Sequence, residues 1–259
     1  MEQGLLKVLK EKTVDGINQS TLKALQHRGL ISDSNLMTKN GYRYAISKLP
    51  LIKQCEEIGL KFDKLTLTFI GRPESSLLSY YKSLGYEGVS YEGIGFLTVL
   101  KALMLDKLAD LNSFNDRSDA CTRYLEAQFS ILKDKTNEII STIRTVTKDR
   151  FISNFKEIIS KPFIALEYPE LSVDFAEALF NAIDKEVFVA VASKFAEDPY
   201  TYRSGWPDLT LIKGNEVLFI EVKTTDKLHE SQLITIPEMR SIIPFKFSVC
   251  RVLKCRKDR

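Results

Sequence analysis

Two acidic residues and one lysine in the last quarter of the chain have the types and spacing needed for metal-dependent chemistry. Asp208 lies thirteen residues before Glu221, and Lys223 follows two residues later. Carboxylate oxygens are hard ligands that suit Mg²⁺ or Mn²⁺. An ammonium group can stabilise charge that develops on a phosphate. The pattern therefore indicates a divalent-cation site, provided that the fold brings the three side chains together.

The residues between the two acids predict a β-hairpin. Runs rich in Leu, Ile, Val, Phe and Thr, which favour strands, lie on either side of Gly214-Asn215, a pair that suits a two-residue turn. Counting back from this turn places Asp208 opposite Glu221. Directly opposed residues share one face of a sheet, and Lys223 points to the same face because side chains alternate along a strand. One turn thus gathers two carboxylates and an ammonium.

The two predicted strands, 209–213 and 216–223, are apolar on both faces. The face that carries the acids also carries Thr210, Ile212, Val217 and Phe219, and the other face carries Leu209, Leu211, Leu218 and Ile220. Strands that are apolar on both faces are buried on both faces. Opposed like charges destabilise a sheet, and burial increases that cost. A bound divalent cation would offset it, and a simple counter-charge from Lys223 is the alternative.

Composition places the chain among ordinary globular proteins. Its length of 259 residues corresponds to one or two domains, and its net charge of +3 is too small to identify a nucleic-acid-binding protein. There is no long apolar stretch, and the four cysteines show no CxxC spacing, so we expect a cytoplasmic protein with reduced thiols and no membrane partner. The basic residues of the last nine positions could follow a phosphate backbone or form a solvated tail.

Motifs around the hairpin resemble a known nuclease family. Pro207-Asp208 followed by Glu221-Val222-Lys223 resembles the PD-(D/E)xK motif. The longer match adds Arg203 to Leu209, Asp226-Lys-Leu228 and Gln232, and it is similar to the virus-type replication-repair nuclease (VRR-NUC) domain. The resemblance implies an α-rich α/β fold with a restriction-endonuclease-like core, in which helices flank a mixed sheet.

A segment further upstream resembles the Fanconi-associated nuclease family. Residues 85–93, Gly-Tyr-Glu-Gly-Val-Ser-Tyr-Glu-Gly, precede an apolar helix predicted from Ile94 to Leu108. In that family the corresponding segment supplies the first acidic metal ligand, which by this match is Glu92, with Glu87 as the competing candidate. Helical spacing places Glu92 at the head of the core-facing stripe. Trp206 stands where many members have a smaller residue, so we expect it to alter the mouth of the pocket.

The resemblance implies a complete active site. Its metal ligands for Mg²⁺ or Mn²⁺ would be Glu92, Asp208, Glu221 and the main-chain carbonyl of Val222. Lys223 would position the attacking water or stabilise the phosphate. Gln232 would help to shape the site from a helix predicted over about 227–239, with Asp226 as its cap.

The rest of the chain predicts two regions. Residues 1–70 read as a helical N-terminal region, in which Lys39, Arg43 and Lys48 lie near the third helix. This region resembles a winged-helix or helix-turn-helix module, and a helical packing lobe is the alternative. Residues 71–259 would form the nuclease domain, with a helical insert at about 110–200.

The family resemblance implies a metal-dependent DNA endonuclease or exonuclease that acts in repair or replication. Its substrate would be duplex DNA, with preference for flapped or branched structures. One alternative is an interbacterial DNase toxin that a cognate inhibitor protein neutralises. An alternative of another class is a non-catalytic DNA-binding regulator that uses the N-terminal helices.

Overall fold

One five-stranded sheet organises the computed structural model, which describes residues 1–255. Its strands are β1 (Lys61–Leu67), β2 (Glu87–Val89), β3 (Leu209–Lys213), β4 (Glu216–Lys223) and β5 (Lys246–Lys254). The order across the sheet is β1-β5-β4-β3-β2. β5 is parallel to both of its neighbours, whereas β2, β3 and β4 pair antiparallel. The predicted mixed sheet is confirmed. Three basic residues of the tail, Arg256, Lys257 and Arg259, lie outside the described residues.

Helices flank this sheet along most of the described chain. The first group comprises α1 (Glu2–Glu11), α2 (Gln19–His27), α3 (Lys39–Lys48), α4 (Leu51–Glu57), α5 (Pro73–Ser83) and α6 (Ile94–Asp110). The second comprises α7 (Arg117–Thr122), α8 (Leu125–Ile131), a 3₁₀ turn at Lys133–Lys135, α9 (Thr136–Thr145), α10 (Lys148–Ile159), α11 (Pro162–Glu167), α12 (Val173–Ala182), α13 (Lys185–Glu197), α14 (Pro199–Tyr202) and α15 (Glu230–Arg240). The α-rich α/β class is therefore confirmed.

The hairpin has the register that its turn predicts. Lys213 pairs with Glu216, and Leu209 pairs with Ile220 at the far end. Gly214 has a φ of 60°, which suits glycine in a tight turn. Asp208 is the residue immediately before β3, so the same register continues to it and to Glu221.

Both faces of the hairpin carry buried apolar side chains, as predicted. Ile212, Val217 and Phe219 enter the large core that also contains α6. The opposite face contributes Leu209, Leu211 and Ile220 to a smaller cluster with Leu77 and Leu78 of α5. Burial on both sides makes the strands a rigid platform for the residues at their ends.

Helix α6 crosses the centre of the large core. Its sequence is apolar almost all round, and most of its residues are buried, which is the pattern of an internal helix. Phe96 stacks on Trp206 and also contacts the rings of Phe188 and Phe219. This packing fixes the turn before α6 against the segment that leads into β3.

The N-terminal helices pack onto the sheet domain. Buried residues such as Leu5 and Leu25 belong to the same apolar core as Phe96. β1 lies on the N-terminal side of residue 70 and completes the sheet beside β5. The division of the chain at residue 70 stays a prediction, as does the likeness of the first helices to a winged-helix module. None of the helices within residues 1–255 has the length and apolarity needed to cross a membrane.

Candidate active site

The acidic and basic residues of the motif meet at the open end of the β3–β4 hairpin. Asp208 accepts a hydrogen bond at Oδ2 from the main-chain N–H of Val222, with a distance of 2.8 Å. Glu221 Oε1 lies 2.8 Å from Lys223 Nζ. Gln232 donates its Nε2 amide to the same oxygen of Glu221 at 2.6 Å. Asp208, Glu221, Lys223 and Gln232 therefore form one connected group.

Burial makes this group electrostatically unusual. Only 1% of the Glu221 side chain and 4% of the Lys223 side chain are exposed. Loss of water raises the pKa of Glu221 to about 8, and the nearby charge of Asp208 adds to this. Burial also raises the pKa of Asp208 to about 6, although the hydrogen bond from Val222 opposes the shift. The two carboxyl groups thus retain protons at pH values where an exposed pair would be fully ionised.

Lys223 behaves as the charged partner of these acids. Burial alone would lower its pKa, but its interactions with Glu221 and Asp226 outweigh this effect and raise it. Asp226 Oδ2 lies 3.2 Å from Lys223 Nζ. Asp226 was predicted to cap the following helix, and this is wrong, because the N-cap of α15 is His229 and the helix begins at Glu230. The carboxylate of Asp226 instead faces the lysine.

Gln232 is held by the first turn of α15. Its Oε1 accepts a hydrogen bond from the main-chain N–H of His229 at 2.9 Å, which leaves Nε2 free to donate to Glu221. Gln54 on α4 anchors the same loop, because its Oε1 accepts a hydrogen bond from the Leu228 main chain at 2.9 Å. The amide of Gln232 is therefore oriented before any ligand binds.

These residues line a cavity of about 580 Å³. Asp208, Glu221, Val222, Lys223 and Gln232 all contribute to its wall. The cavity opens to solvent at the end of the sheet. Its volume is large enough to admit a hydrated cation and part of a phosphodiester. Val222 supplies its main-chain N–H to Asp208 here, and the role of its carbonyl as a ligand stays a prediction.

Glu92 is not part of this cavity wall. Its side chain is exposed, and its Oε1 accepts a hydrogen bond of 2.6 Å from the main-chain N–H of Gly205. The expectation that Glu92 heads the helical stripe is wrong, because Gly93 has a φ of 66° and α6 begins only after it. Glu87 is exposed on β2 and also stands apart from the cavity. As placed, Glu92 orients the segment that leads to Asp208, and its role as a metal ligand stays a prediction.

Gly205 lets that segment approach α15 closely. It has a φ of 79°, and a Cβ at this position would overlap the main-chain oxygen of Ser231. Trp206 follows with 1% of its surface exposed, and its indole N–H donates to the Tyr202 carbonyl at 2.7 Å. The expectation that Trp206 alters the mouth of the pocket is wrong, because the ring packs into the core against Phe96.

Glu74, at the start of α5, is an acidic residue of the site that sequence reasoning missed. It lines the same cavity as Asp208 and Glu221, and its negative charge contributes to the raised pKa of Asp208, after burial. An acid directly after Pro73 in a first helical turn is usual for any helix, so the sequence offered no signal that separates it from a solvent-facing residue.

The donor set fits a hard divalent cation held by two protein carboxylates. Glu221 Oε2 is buried and has no hydrogen-bond partner in the structure, which is costly unless a cation or a proton occupies it. Within residues 1–255, no group of three or more His, Cys, Asp or Glu side chains is close enough to hold a metal ion. Mg²⁺ is commonly held by only one or two carboxylates, and it keeps several waters and takes further ligands from substrate phosphates. Asp208 and Glu221 form such a pair.

Solved structures with a similar fold include two crystal structures of paFAN1, bound to gapped DNA with a 5′ flap of two nucleotides or of one nucleotide. Their TM-scores are 0.59 and 0.56, and both are 16% identical to this chain. Each alignment covers 98% of this chain and 49% of the other, so the chain spans about half the length of those proteins. At this level of identity the likeness shows a shared fold.

A family model locates the domain that contains the site. Residues 147–254 match the model of the VRR-NUC domain, whereas no curated protein matches the chain. The matched range includes Asp208, Glu221, Lys223 and Gln232, and Glu92 precedes it. Over residues 147–254 this chain is therefore similar to the VRR-NUC domain.

Proposed function

We propose that this protein is a deoxyribonuclease that hydrolyses phosphodiester bonds with the help of Mg²⁺ or Mn²⁺. The observation that supports this most strongly is the buried pair of Asp208 and Glu221, which faces a cavity with an unpartnered carboxylate oxygen and a lysine beside it. The VRR-NUC match over residues 147–254 supports the same reaction class.

The protein residues have distinct tasks in this reaction. Asp208 is oriented by the Val222 N–H, and Glu221 is oriented by the Gln232 amide, so both carboxylates are fixed before a cation arrives. When bound, a divalent cation would lower the pKa of a water molecule and stabilise charge on the phosphate. Glu92 is proposed as a further ligand from the family resemblance, and its Oε1 accepts a hydrogen bond from the Gly205 N–H in the structure.

Lys223 would stabilise the negative charge that develops on the scissile phosphate. Its ammonium group lies at the cavity wall and stays protonated, because its pKa is raised. A protonated lysine cannot accept a proton from water, so its role is electrostatic. This assigns the lysine to charge stabilisation and positioning rather than to general base catalysis.

The substrate is proposed to be duplex DNA that carries a 5′ flap or a branch, in repair or replication. The two paFAN1 structures named above contain flapped DNA, and their fold covers nearly the whole of this chain. The toxin alternative and its inhibitor protein find no support in the fold or in the similar proteins. The regulator alternative predicts metal-independent DNA binding without cleavage.

A cleavage panel tests the proposal. Linear duplex, 5′-flapped duplex and single-stranded DNA are each incubated with Mg²⁺, Mn²⁺ or a chelator. We expect cleavage of the flapped duplex with either cation and none with the chelator. Asp208→Asn should remove cleavage, whereas Asp149→Asn, which changes an exposed aspartate of α10, should retain it. Chelator-resistant cleavage, or full activity of Asp208→Asn, would contradict the proposal.

A further inference from the structure

One edge of the active-site cavity lies against the N-terminal helices. This edge is formed by the loop between β4 and α15, in which Asp226 and His229 line the cavity. The main-chain N–H of Leu228 in this loop donates to Gln54 of α4 at 2.9 Å. Lys227 donates from Nζ to the main-chain carbonyl of Lys48, the last residue of α3, at 3.1 Å. The end of α3 therefore contacts the loop that borders the cavity.

Lys48 and Lys227 are held in place by groups that do not neutralise their charge. Lys48 Nζ lies 4.6 Å from the centre of the Tyr44 ring, one helical turn earlier, and Lys227 Nζ contacts a carbonyl oxygen. Within residues 1–255, neither lysine forms an ion pair with a carboxylate. A ring face and a carbonyl orient an ammonium group but leave it positively charged. Lys227 is exposed and Lys48 is half-buried, so both are open to a ligand.

The distribution of charge along the chain gives these two lysines a reason to remain unpaired. Residues 1–55 contain nine basic and four acidic residues, whereas the whole chain contains 37 and 34, so the rest of the chain has more acids than bases. The cavity itself is lined by four acids and one buried lysine. Such a cavity repels a phosphodiester unless cations beside it attract the backbone. Lys48 and Lys227 lie where those cations are needed.

We propose that Lys48 and Lys227, oriented by Tyr44 and by the end of α3, bind a backbone phosphate of the DNA beside the active-site cavity. This inference rests on the proposed function and deepens it, because it names the surface that holds the substrate. A contact with phosphate positions the duplex without reading its sequence. It also gives the N-terminal helices a part in substrate binding that does not require a helix to enter a DNA groove.

The test is fluorescence anisotropy of the full chain with 5′-flapped duplex DNA in chelator, at a series of salt concentrations. Lys48→Met and Lys227→Met should each weaken DNA binding and reduce the slope of log Kd against log salt concentration by about 1. Lys48→Arg and Lys227→Arg keep the charge and should retain the wild-type slope. Lys53→Met is the matched control, because Lys53 lies on the neighbouring helix α4 but is already paired with Glu56 at 2.6 Å, so its loss should leave the slope unchanged.

The outcomes separate this inference from the proposed function. Wild-type slopes in Lys48→Met and Lys227→Met would overturn the phosphate site, and cation-dependent cleavage by the wild type would still support the nuclease. An equal loss in Lys53→Met would show a general charge effect and would also overturn the site. Absence of DNA binding by the wild type would overturn both proposals.

Thermal unfolding of the same variants distinguishes phosphate binding from a structural role. Lys227 contacts the carbonyl at the end of α3, a position where a cation also stabilises a helix. A lower unfolding temperature in Lys227→Met with an unchanged salt slope would overturn its role in DNA binding. Should Lys227→Met not fold, Lys48→Met decides the test, because its side chain lies on a ring face and caps no helix.

Discussion

Asp106 on α6 and Asp208 before β3 both lie beside basic side chains, but their pKa values move in opposite directions. Asp106 accepts hydrogen bonds from Arg150 and Asn154, and from Arg117 Nη1 at 2.9 Å. These contacts, chiefly that with Arg150, lower its pKa to about 2. Burial raises the pKa of Asp208 to about 6. The deeper burial of Asp208 and the larger number of donors around Asp106 account for the difference.

The Asp106 cluster neutralises itself. Arg117 also donates to Glu157 at 2.8 Å, so two arginines serve two acids across α6, α7 and α10. The cavity at the end of the hairpin has four acids, Glu74, Asp208, Glu221 and Asp226, for one buried lysine, and one Glu221 oxygen has no donor. A self-neutralised cluster stabilises the fold, whereas an uncompensated one has a place for an external cation.

The largest effect that this comparison predicts is on cleavage. Asp208→Asn and Lys223→Met should each lower the rate of flapped-DNA cleavage at least about 10²–10³-fold, since each removes a group that acts on the reacting phosphate or its cation. Asp106→Asn should retain cleavage within a few-fold at temperatures where it is folded. Single-turnover assays measure the cleavage rate of all three variants. A loss of rate in Asp106→Asn as large as that in Asp208→Asn would contradict the difference proposed between the two clusters.

Metal binding should depend steeply on pH in the wild type. The raised pKa values of Asp208 and Glu221, about 6 and about 8, mean that a cation must displace protons in this range. Mn²⁺ affinity should therefore rise by up to about tenfold per pH unit between pH 6 and pH 8. Calorimetry in buffers of different ionisation enthalpy would show the proton release, and a flat pH profile without release would contradict it.

Asp208→Asn should stabilise the metal-free protein. The folded-state pKa of Asp208 is raised, so its ionised form destabilises the folded protein, and this cost is largest above that pKa. Removing the charge should therefore raise the free energy of unfolding at pH 8. The gain should be on the order of 1–2 kcal/mol. It should shrink towards pH 4, where the group is protonated in the folded state. Urea unfolding in chelator measures it, and a loss of stability at pH 8 would contradict the electrostatic account.

Asp106→Asn should have the smaller and opposite effect. Because its folded pKa is lowered, Asp106 contributes stability that is present above the unfolded pKa and is lost as the pH falls through about 2. The cluster is partly exposed, so the loss should be about 1 kcal/mol at pH 7. It should diminish below pH 4 in the same urea experiment. A loss that grows with acidity would show that this aspartate is not stabilised by its arginines.

The hairpin and the grouping of its acids with a lysine could be predicted because they depend on local sequence. Gly214-Asn215 fixes the turn, and side-chain alternation then places Asp208, Glu221 and Lys223 on one face. The apolar character of both faces could also be predicted, because successive side chains along a strand point to alternate faces of the sheet. Family resemblance added Gln232, whose amide contacts Glu221 in the structure.

The remainder of the site depends on contacts between distant segments. Glu92 was assigned as a metal ligand by the family resemblance, but it lies before Gly93 and outside α6, and its carboxylate accepts a hydrogen bond from the Gly205 N–H. Glu74 reaches the cavity only because β1 and α5 return the chain to the end of the sheet. Neither position follows from spacing along the sequence, because both require the packed core.

The most direct test of the central claim is a crystal structure of the protein soaked with Mn²⁺, with anomalous diffraction data. The account predicts an anomalous peak within coordination distance of the Asp208 and Glu221 carboxylates, and no such peak in Asp208→Asn. A wild-type map without a peak between these two carboxylates, at a Mn²⁺ concentration that supports DNA cleavage, would contradict it.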